Sequence, residues 1–249
     1  MKAMILAAGL GTRLRPLTDD RPKALVEVGG RTMLEIALTR LRSSGIHEVI
    51  VNTHHHAEMV ERWLRTQAPA DMRIGISRED MLLDTGGGLK KAAWFFLESA
   101  EQVDEPFLLH NVDVLSTIDF GAMARAHSNS GALATLAVQE RATSRYLLFD
   151  RDGELCGRRA GRDSVLELAR PASDPVALAF AGIHVISPRI FSLLDEQGAF
   201  PIVPAYLRLA ARGESIAAFR ADEYYWRDLG RPQDVEQAGR DLAAGLYPA

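Results

Sequence analysis

The chain of 249 residues has a single cysteine, Cys156. It therefore has no internal disulfide and no Cys-x-x-Cys site, as expected of a protein kept in a reducing cytoplasm. No His/Asp arrangement accompanies Cys156, which reads as a buried, unreactive thiol. No apolar run reaches 18 residues, so no membrane partner is expected. The first apolar run stops at Ala8 against a glycine, too short for the core of a signal peptide. Basic residues are not in excess: 29 Lys and Arg face 33 Asp and Glu, a net charge of −4, so no general positive field points to nucleic acid. Linkers, low-complexity tracts and hexapeptide repeats are also missing, and without the last no β-helix domain is attached.

What is there is an ordinary globular composition, 47% hydrophobic and 25% charged, which suits one large domain or two tight ones with a sizeable core. The first half alternates short apolar runs with amphipathic stretches. Strands are expected at 3–8, 47–53, 72–77 and 106–113, and helices at 32–45, 57–67 and 87–100. In the first helix Met33, Leu34, Ala37, Leu38 and Leu41 share one face, and Gly45 closes it. Continuously apolar strands separated by helices predict a parallel sheet covered on both faces. The second half is richer in strands, at 132–140, 145–150, 154–159, 176–187 and 215–221, with Asp152-Gly153 as a hairpin turn. Helices are expected at 188–196, 203–212 and 232–244, the last with Pro232 near its start. Ligands of such sheets lie at the carboxyl ends of the strands, which puts residues 9–23, 52–56 and 111–113 on one rim.

The stretch GLGTRLRP, residues 9–16, opens the loop on that rim. It begins like G-x-G-x-x-G, but Leu14 stands where a dinucleotide-binding turn has its third glycine. The second strand ends in Asn52-Thr53 and not in an acid, and the G-K-[ST] of a P-loop is absent. Both common nucleotide motifs fail. What remains is backbone made approachable by Gly9 and Gly11, with Arg13, Arg15 and Lys23 supplying positive charge and Asp19 and Asp20 limiting it. On composition alone the loop is either a plain strand-to-helix connection or a phosphate cradle, and its length favours function.

The order of motifs carries more. MILAAGLGTRLRPLTDDRPKALVEVGGRTMLE resembles the signature of the sugar-1-phosphate nucleotidylyltransferases (NDP-sugar pyrophosphorylases), G-x-G-[ST]-R-x-x-P-x-T followed by P-K-x-[LM]. The resemblance continues, in family order, through VNTHHHAEMVERWL, DTGGGLKKA, LLHNVDV, FAGIHVISP and YYWRDLGRPQDV. It implies an α/β fold: a mixed, mostly parallel twisted sheet flanked by helices in the Rossmann-like nucleotide-diphospho-sugar transferase arrangement. The chain would be a single nucleotidyltransferase domain, with 1–115 as its nucleotide-binding half and 116–249 as its sugar-binding half. The activity implied is transfer of a nucleotidyl group from an NTP to a sugar 1-phosphate, with release of pyrophosphate and Mg²⁺ as cofactor. The compact length and the TGGG stretch look most like the bacterial N-acetylmuramic acid 1-phosphate uridylyltransferases of cell-wall recycling. Mannose- and heptose-phosphate guanylyltransferases are close neighbours.

Carried over position by position, Arg13 matches the arginine that clamps the pyrophosphate portion, and Lys23 the lysine on the α-phosphate or the incoming phosphate. Asp113 and Asp228 match the two carboxylates that hold Mg²⁺. The nucleotide side is expected to be Ala7, Ala8, Gly9, Gly11 and Thr12 together with Asp84, Gly86 and Gly87. There the bare backbone of Gly86 and Gly87 would lie against a base, and Asp84 would accept from it. The sugar side is expected to be Asn111, Glu167, Arg170 and Gly182. Arg170 takes the place of the lysine in a family E-K-P motif whose glutamate is here Ala169.

One departure stands out. Val112 occupies the position of the glycine in the family's N-G-D. Valine is stiff and bulky where glycine allows close approach, which implies a rebuilt loop, a narrower pocket or reduced activity. It leaves open a catalytically silent nucleotide-sugar-binding protein beside the uridylyl- and guanylyltransferase readings. His54, His55 and His56 point to alternate sides if extended, so a loop or helix start is expected there and not one metal site. Tyr224, Tyr225 and Trp226 are expected in core packing. The base, the sugar and the choice between monomer and dimer stay open, with UTP favoured.

Overall fold

The apolar runs of the first half lie side by side at one end of a ten-stranded sheet. The computed structural model describes residues 1–98, 104–160 and 165–247. In chain order come β1 (Ala3–Leu6), the hairpin β2 (Glu27–Val28) and β3 (Arg31–Thr32), α1 (Met33–Ser43), β4 (Glu48–Thr53), α2 (Ala57–Gln67) and β5 (Arg73–Arg78). There follow α3 (Asp84–Lys91), α4 (Ala93–Leu97), β6 (Phe107–Asn111), β7 (Val114–Ser116), α5 (Phe120–Ser130), β8 (Ala134–Gln139) and β9 (Arg145–Phe149). The chain closes with β10 (Leu155–Ala160), β11 (Val165–Leu168), β12 (Val176–Ile186), α6 (Ile202–Ala211), β13 (Ile216–Arg220), β14 (Trp226–Asp228) and α7 (Pro232–Ala243).

The main sheet runs β11-β10-β9-β12-β6-β1-β4-β5, with β8 also on β12 and β13 on β8. The end formed by the first half is parallel: β1 pairs with β4 and β6, and β4 with β5. The second half adds antiparallel strands through β12, which pairs with β6, β8 and β9. The mixed sheet flanked by helices is thus the one anticipated. Alternation along β1 sends Ala3 and Ile5 to a core shared with α1 and α2, and Met4 to a core shared with α4 and α6. α1 begins where the Thr32 hydroxyl accepts from Glu35 N–H at 3.1 Å, and the chain leaves it through Gly45 at φ +77°.

Some elements differ from expectation. The helix expected at 87–100 starts at Asp84 and breaks at Ala92, while its positions 99–100 lie outside the described residues. The helix expected at 188–196 is only a 3₁₀ turn, Pro188–Ser192. The fourth strand stops at Asn111 and leaves Asp113 in the turn to β7. α5 was not anticipated, although Asp119 caps it by accepting from Ala122 N–H at 2.9 Å and Gly131 closes it at φ +63°. No helix among the described residues is long and apolar enough to cross a membrane.

Candidate active site

At the end of β1 the chain turns over the rim of the sheet. Ala7 and Ala8 are buried, and Ala7 N–H donates to Asn52 Oδ1 at 2.7 Å. Asn52 Nδ2 donates to Glu79 Oε1 at 2.7 Å, and Glu79 Oε2 accepts from Leu83 N–H at 2.9 Å. This buried chain of bonds ties the ends of β1 and β4 to the approach to α3. Gly9 is exposed, with open space where a side chain would be. Gly11 has φ +65°, and a Cβ there would lie 2.9 Å from Thr18 Cγ2 and 3.2 Å from Lys23 Cβ. Its missing side chain lets the loop fold back, with the Thr18 hydroxyl donating to Gly11 O at 2.8 Å. Leu14 is buried in the core, which explains why no third glycine stands there, and it leaves Thr12 and Arg13 exposed on the rim.

Asp113 emerges beside this loop. Val112 N–H donates to Leu6 O at 3.2 Å, extending the β1–β6 pairing by one residue, and the Lys23 ammonium pairs with Asp113 Oδ2. The β7–β14 ribbon sets Val114 opposite Asp228, and Leu229 N–H donates to Asp113 O at 2.8 Å. Two aspartates far apart in sequence are thereby neighbours. Asp228 Oδ1 accepts from Gly230 N–H at 2.7 Å. A Cβ on Gly230 would lie 2.5 Å from Asp228 Oδ1 and 2.8 Å from Arg13 Nη2, so a bare Gly230 lets Arg13 settle over Asp228. Burial and the Asp113 charge push the Asp228 carboxyl above its ordinary range, opposed by Gly230 N–H, Arg13 and Lys23.

A cavity of about 880 Å³ opens from this rim, lined among others by Arg13, Asn111, Gly182, Asp228, Arg141 and Trp226. Gly182 has φ +74°, and a Cβ would lie 2.8 Å from Asn111 Nδ2, so only glycine fits. A smaller cleft between Leu10, Gly11, Lys23 and Leu82 meets the cavity at Arg13. Two recesses therefore join where two cations face two carboxylates, an arrangement suited to bringing two phosphate-bearing molecules together.

The nucleotidyl transferase family profile matches residues 2–245. This chain belongs to the nucleotidyl transferase family. It is 34% identical to the N-acetylmuramate alpha-1-phosphate uridylyltransferase of Caulobacter vibrioides, over 97% of this chain and 96% of that protein. It is 30% identical to the mannose-1-phosphate guanyltransferase of Yarrowia lipolytica, over 94% of this chain but only 62% of that protein. The solved structure of HddC from Yersinia pseudotuberculosis complexed with GMP-PN shares the fold, with a TM-score of 0.76 at 20% identity over 97% of this chain and 99% of that one. This nucleotidyl transferase is accordingly an enzyme of sugar-1-phosphate nucleotidyl transfer.

A pair of neighbouring carboxylates is a donor set that could hold a divalent cation. Mg²⁺ takes one or two carboxylates and completes its shell with phosphates and water. Asp113 and Asp228 fit that demand: they are neighbours, one carries a raised pKa from the other's charge, and among the described residues no cluster of three or more His, Cys, Asp or Glu offers a metal site. The three histidines do other things. His54 Nδ1 lies 2.9 Å from Glu79 O, and His56 takes φ +51° at the start of α2.

Some expected site residues have other tasks. Gly86 and Gly87 both donate their N–H to Phe200 O, at 2.9 and 3.2 Å. A Cβ at Gly86 would strike the Phe200 ring at 2.3 Å, and one at Gly87 would reach Gly198 O at 2.4 Å. Their missing side chains serve close packing, and the expectation that these N–H groups face a base is corrected. Asp84 is exposed at φ +60°, its Oδ1 accepting from Thr85 N–H at 2.6 Å. Glu167 and Arg170 are not brought to the cavity. Glu167 lies on edge strand β11 and accepts from Arg158 at 2.6 Å, while Arg170 donates to Asp150 at 2.8 Å. Val112 has no positive φ and buries its side chain in the core, outside the linings of both recesses. Trp226 packs against the core as expected and also lines the cavity. Sequence reasoning missed Glu79, whose only signal is an acid just past a strand end, and Arg141, which sits in no motif.

Proposed function

We propose that this enzyme transfers a uridylyl group from UTP to N-acetylmuramate 1-phosphate, releasing pyrophosphate, as a cytoplasmic step of cell-wall recycling. The observation that carries the reaction class is the pair of a buried Asp113 and a half-buried Asp228 beside Arg13 and Lys23 at the junction of two recesses. The relative of matching length, with 96% of it covered, bears the uridylyltransferase name, and this supports the choice of substrates.

In this reading a phosphate oxygen of the sugar 1-phosphate attacks the α-phosphorus of the nucleotide in line, and pyrophosphate leaves. The chain contributes position and charge. Arg13 offers its planar fork to the leaving pyrophosphate. Lys23, already beside Asp113, is placed to meet the phosphate that becomes the bridge. The backbone of Ala7, Ala8, Gly9, Gly11 and Thr12 surrounds the nucleotide, with Asp84 at the edge of its cleft. Asn111 and Gly182 receive the sugar. Asp113 and Asp228 would hold Mg²⁺, which when bound neutralises charge between the phosphates.

Pyrophosphate release, measured with four NTPs against a panel of sugar 1-phosphates, tests this. The highest kcat/KM is expected for UTP with N-acetylmuramate 1-phosphate. A maximum for GTP with mannose 1-phosphate would overturn the substrates, and no release with any pair would overturn the reaction.

A further inference from the structure

Arg141 sits on the connection between β8 and β9 and lines the cavity. Its guanidinium carbon lies 3.8 Å from the centre of the Trp226 indole, and its Nη2 donates to Phe180 O at 2.8 Å. Trp226 is fixed in turn by donating Nε1 to Ala181 O at 2.8 Å. Both carbonyls belong to an irregular stretch of β12, where the register against β8 shifts between Phe180 and His184. Such an irregularity turns backbone groups out of the ladder, and here two consecutive carbonyls aim one arginine and its supporting ring.

The arginine itself is left wanting. Its Nε is buried without a partner, and burial pulls its pKa down. Arg227, Arg208 and Arg170 are matched to acids, Asp241, Glu196 and Asp150. Arg40 shares the pattern of Arg141, with Nε unpartnered, two carbonyls and the Phe120 ring, but only Arg141 of the two lines the cavity. Among the described residues Arg141 has hydrogen bonds only to Phe180 and no acid in ion-pair contact, although the Asp228 charge acts on it across the cavity and partly opposes the effect of burial. An indole face offsets part of the cost of burying a cation, and an anion is needed for the rest. The phosphates of the reaction already have Arg13, Lys23 and the carboxylate pair to meet them.

We propose that Arg141, held on Trp226 and Phe180 at the sugar side of the cavity, is a specificity-determining residue that binds a carboxylate carried by the sugar, so that the substrate is an acidic sugar 1-phosphate. This rests on the nucleotidyl-transfer reading and deepens it. A guanidinium fork suits a carboxylate, and a charge-assisted contact of this kind is worth about 1.5–3 kcal/mol, or roughly 10–150-fold in kcat/KM.

The test compares N-acetylmuramate 1-phosphate with N-acetylglucosamine 1-phosphate, which has the same ring without the carboxylate. Wild type is expected to prefer the acidic sugar at least tenfold. Arg141→Met keeps a stem for the indole but no charge, and it should reduce that preference by at least tenfold, mainly through KM. Arg141→Lys keeps the charge without the fork and should lower the preference less; it decides the matter if the methionine variant does not fold. Equal loss on both sugars would assign Arg141 to the shared phosphate and overturn the proposal, as would an unchanged preference. A wild type that prefers the neutral sugar also overturns it, while leaving nucleotidyl transfer intact. Use of glucuronate 1-phosphate in place of N-acetylmuramate 1-phosphate, with the same dependence on Arg141, would overturn the substrate named above and support this inference.

Discussion

The wall of the cavity that carries Arg13, Lys23, Asp113 and Asp228 holds charges that answer one another. The wall that carries Arg141 holds a cation answered by an indole and a carbonyl. On the first wall an arriving polyanion must exchange partners with charges already in place. On the second it meets a charge with no acid in direct contact. The first arrangement suits chemistry common to a family, and the second suits the choice of one substrate within it.

The sharpest way to break this contrast is to remove a carboxylate from the first wall. Asp113→Asn and Asp228→Asn should each lower turnover at least a hundredfold, about 2.7 kcal/mol or more, with every sugar tested. Added Mg²⁺ should raise the melting temperature of wild type and not of Asp228→Asn. In chelator Asp228→Asn should melt above wild type, because the repulsion from Asp113 is gone while Gly230 N–H keeps an acceptor. Turnover near wild type in both variants would show that the first wall is not the site of chemistry.

Val112 tests whether that wall is obstructed. Val112→Gly should lose about 2 kcal/mol or more in a denaturant titration, from lost burial and added unfolded-state freedom, without gain in turnover. A tenfold gain would make Val112 a plug. Gly86→Ala should lose about 1–2 kcal/mol by pressing on Phe200, and leave the ranking of nucleotides as it was. A changed ranking at an unchanged melting temperature would return the base to that backbone.

The smallest effect per step concerns the histidines beneath both walls. Burial lowers His110 on β6 to about 4 and His184 on β12 to about 3, from 6.5 when unfolded. The folded state keeps both neutral while the unfolded chain takes up protons. Their contribution is therefore complete above pH 6.5 and lost as pH falls toward 4, at up to about 1.4 kcal/mol per unit for each. Unfolding free energies measured from pH 7.5 to 4.5 should slope accordingly, and a flat profile would show that these rings are not buried neutral.

Much of the fold was legible because its strands and longer helices bury enough side chains to leave a period. β1, β4 and β6 each carry an unbroken apolar run of three or four residues, and the face of α1 appears at helical spacing. β7 and β14, three residues each, are too short for any period, yet they bring Asp228 to Asp113. α5 buries only Phe120, Met123 and His127, so its signal was in Asp119 and Gly131 and not in its apolar residues. In the site, Arg13, Lys23, Asp113 and Asp228 were readable from motifs. Gly86 and Gly87 misled because a glycine needed for packing looks the same in sequence as one that meets a ligand. Arg141 was invisible because its meaning lies in what it lacks, which only folding reveals.

β12 gives the cavity a fixed gauge. Its residues 176–179 pair with β9, next to the Arg141 wall, and residues 183–186 pair with β6, whose end leads to Asp113. Between Phe180, which holds Arg141, and Ile183, which pairs with His110, lie only three steps of chain, roughly 10 Å at about 3.3 Å per residue, anchored by ladders at both ends. The span between phosphorus and sugar is thus cut into one strand and not left to a hinge. A descendant adopting a longer or shorter sugar would have to edit residues 140–144, which lie between ladders, because re-registering β12 would displace the chemistry as well. Acceptor choice can drift in this fold while the place where the phosphates meet stays put.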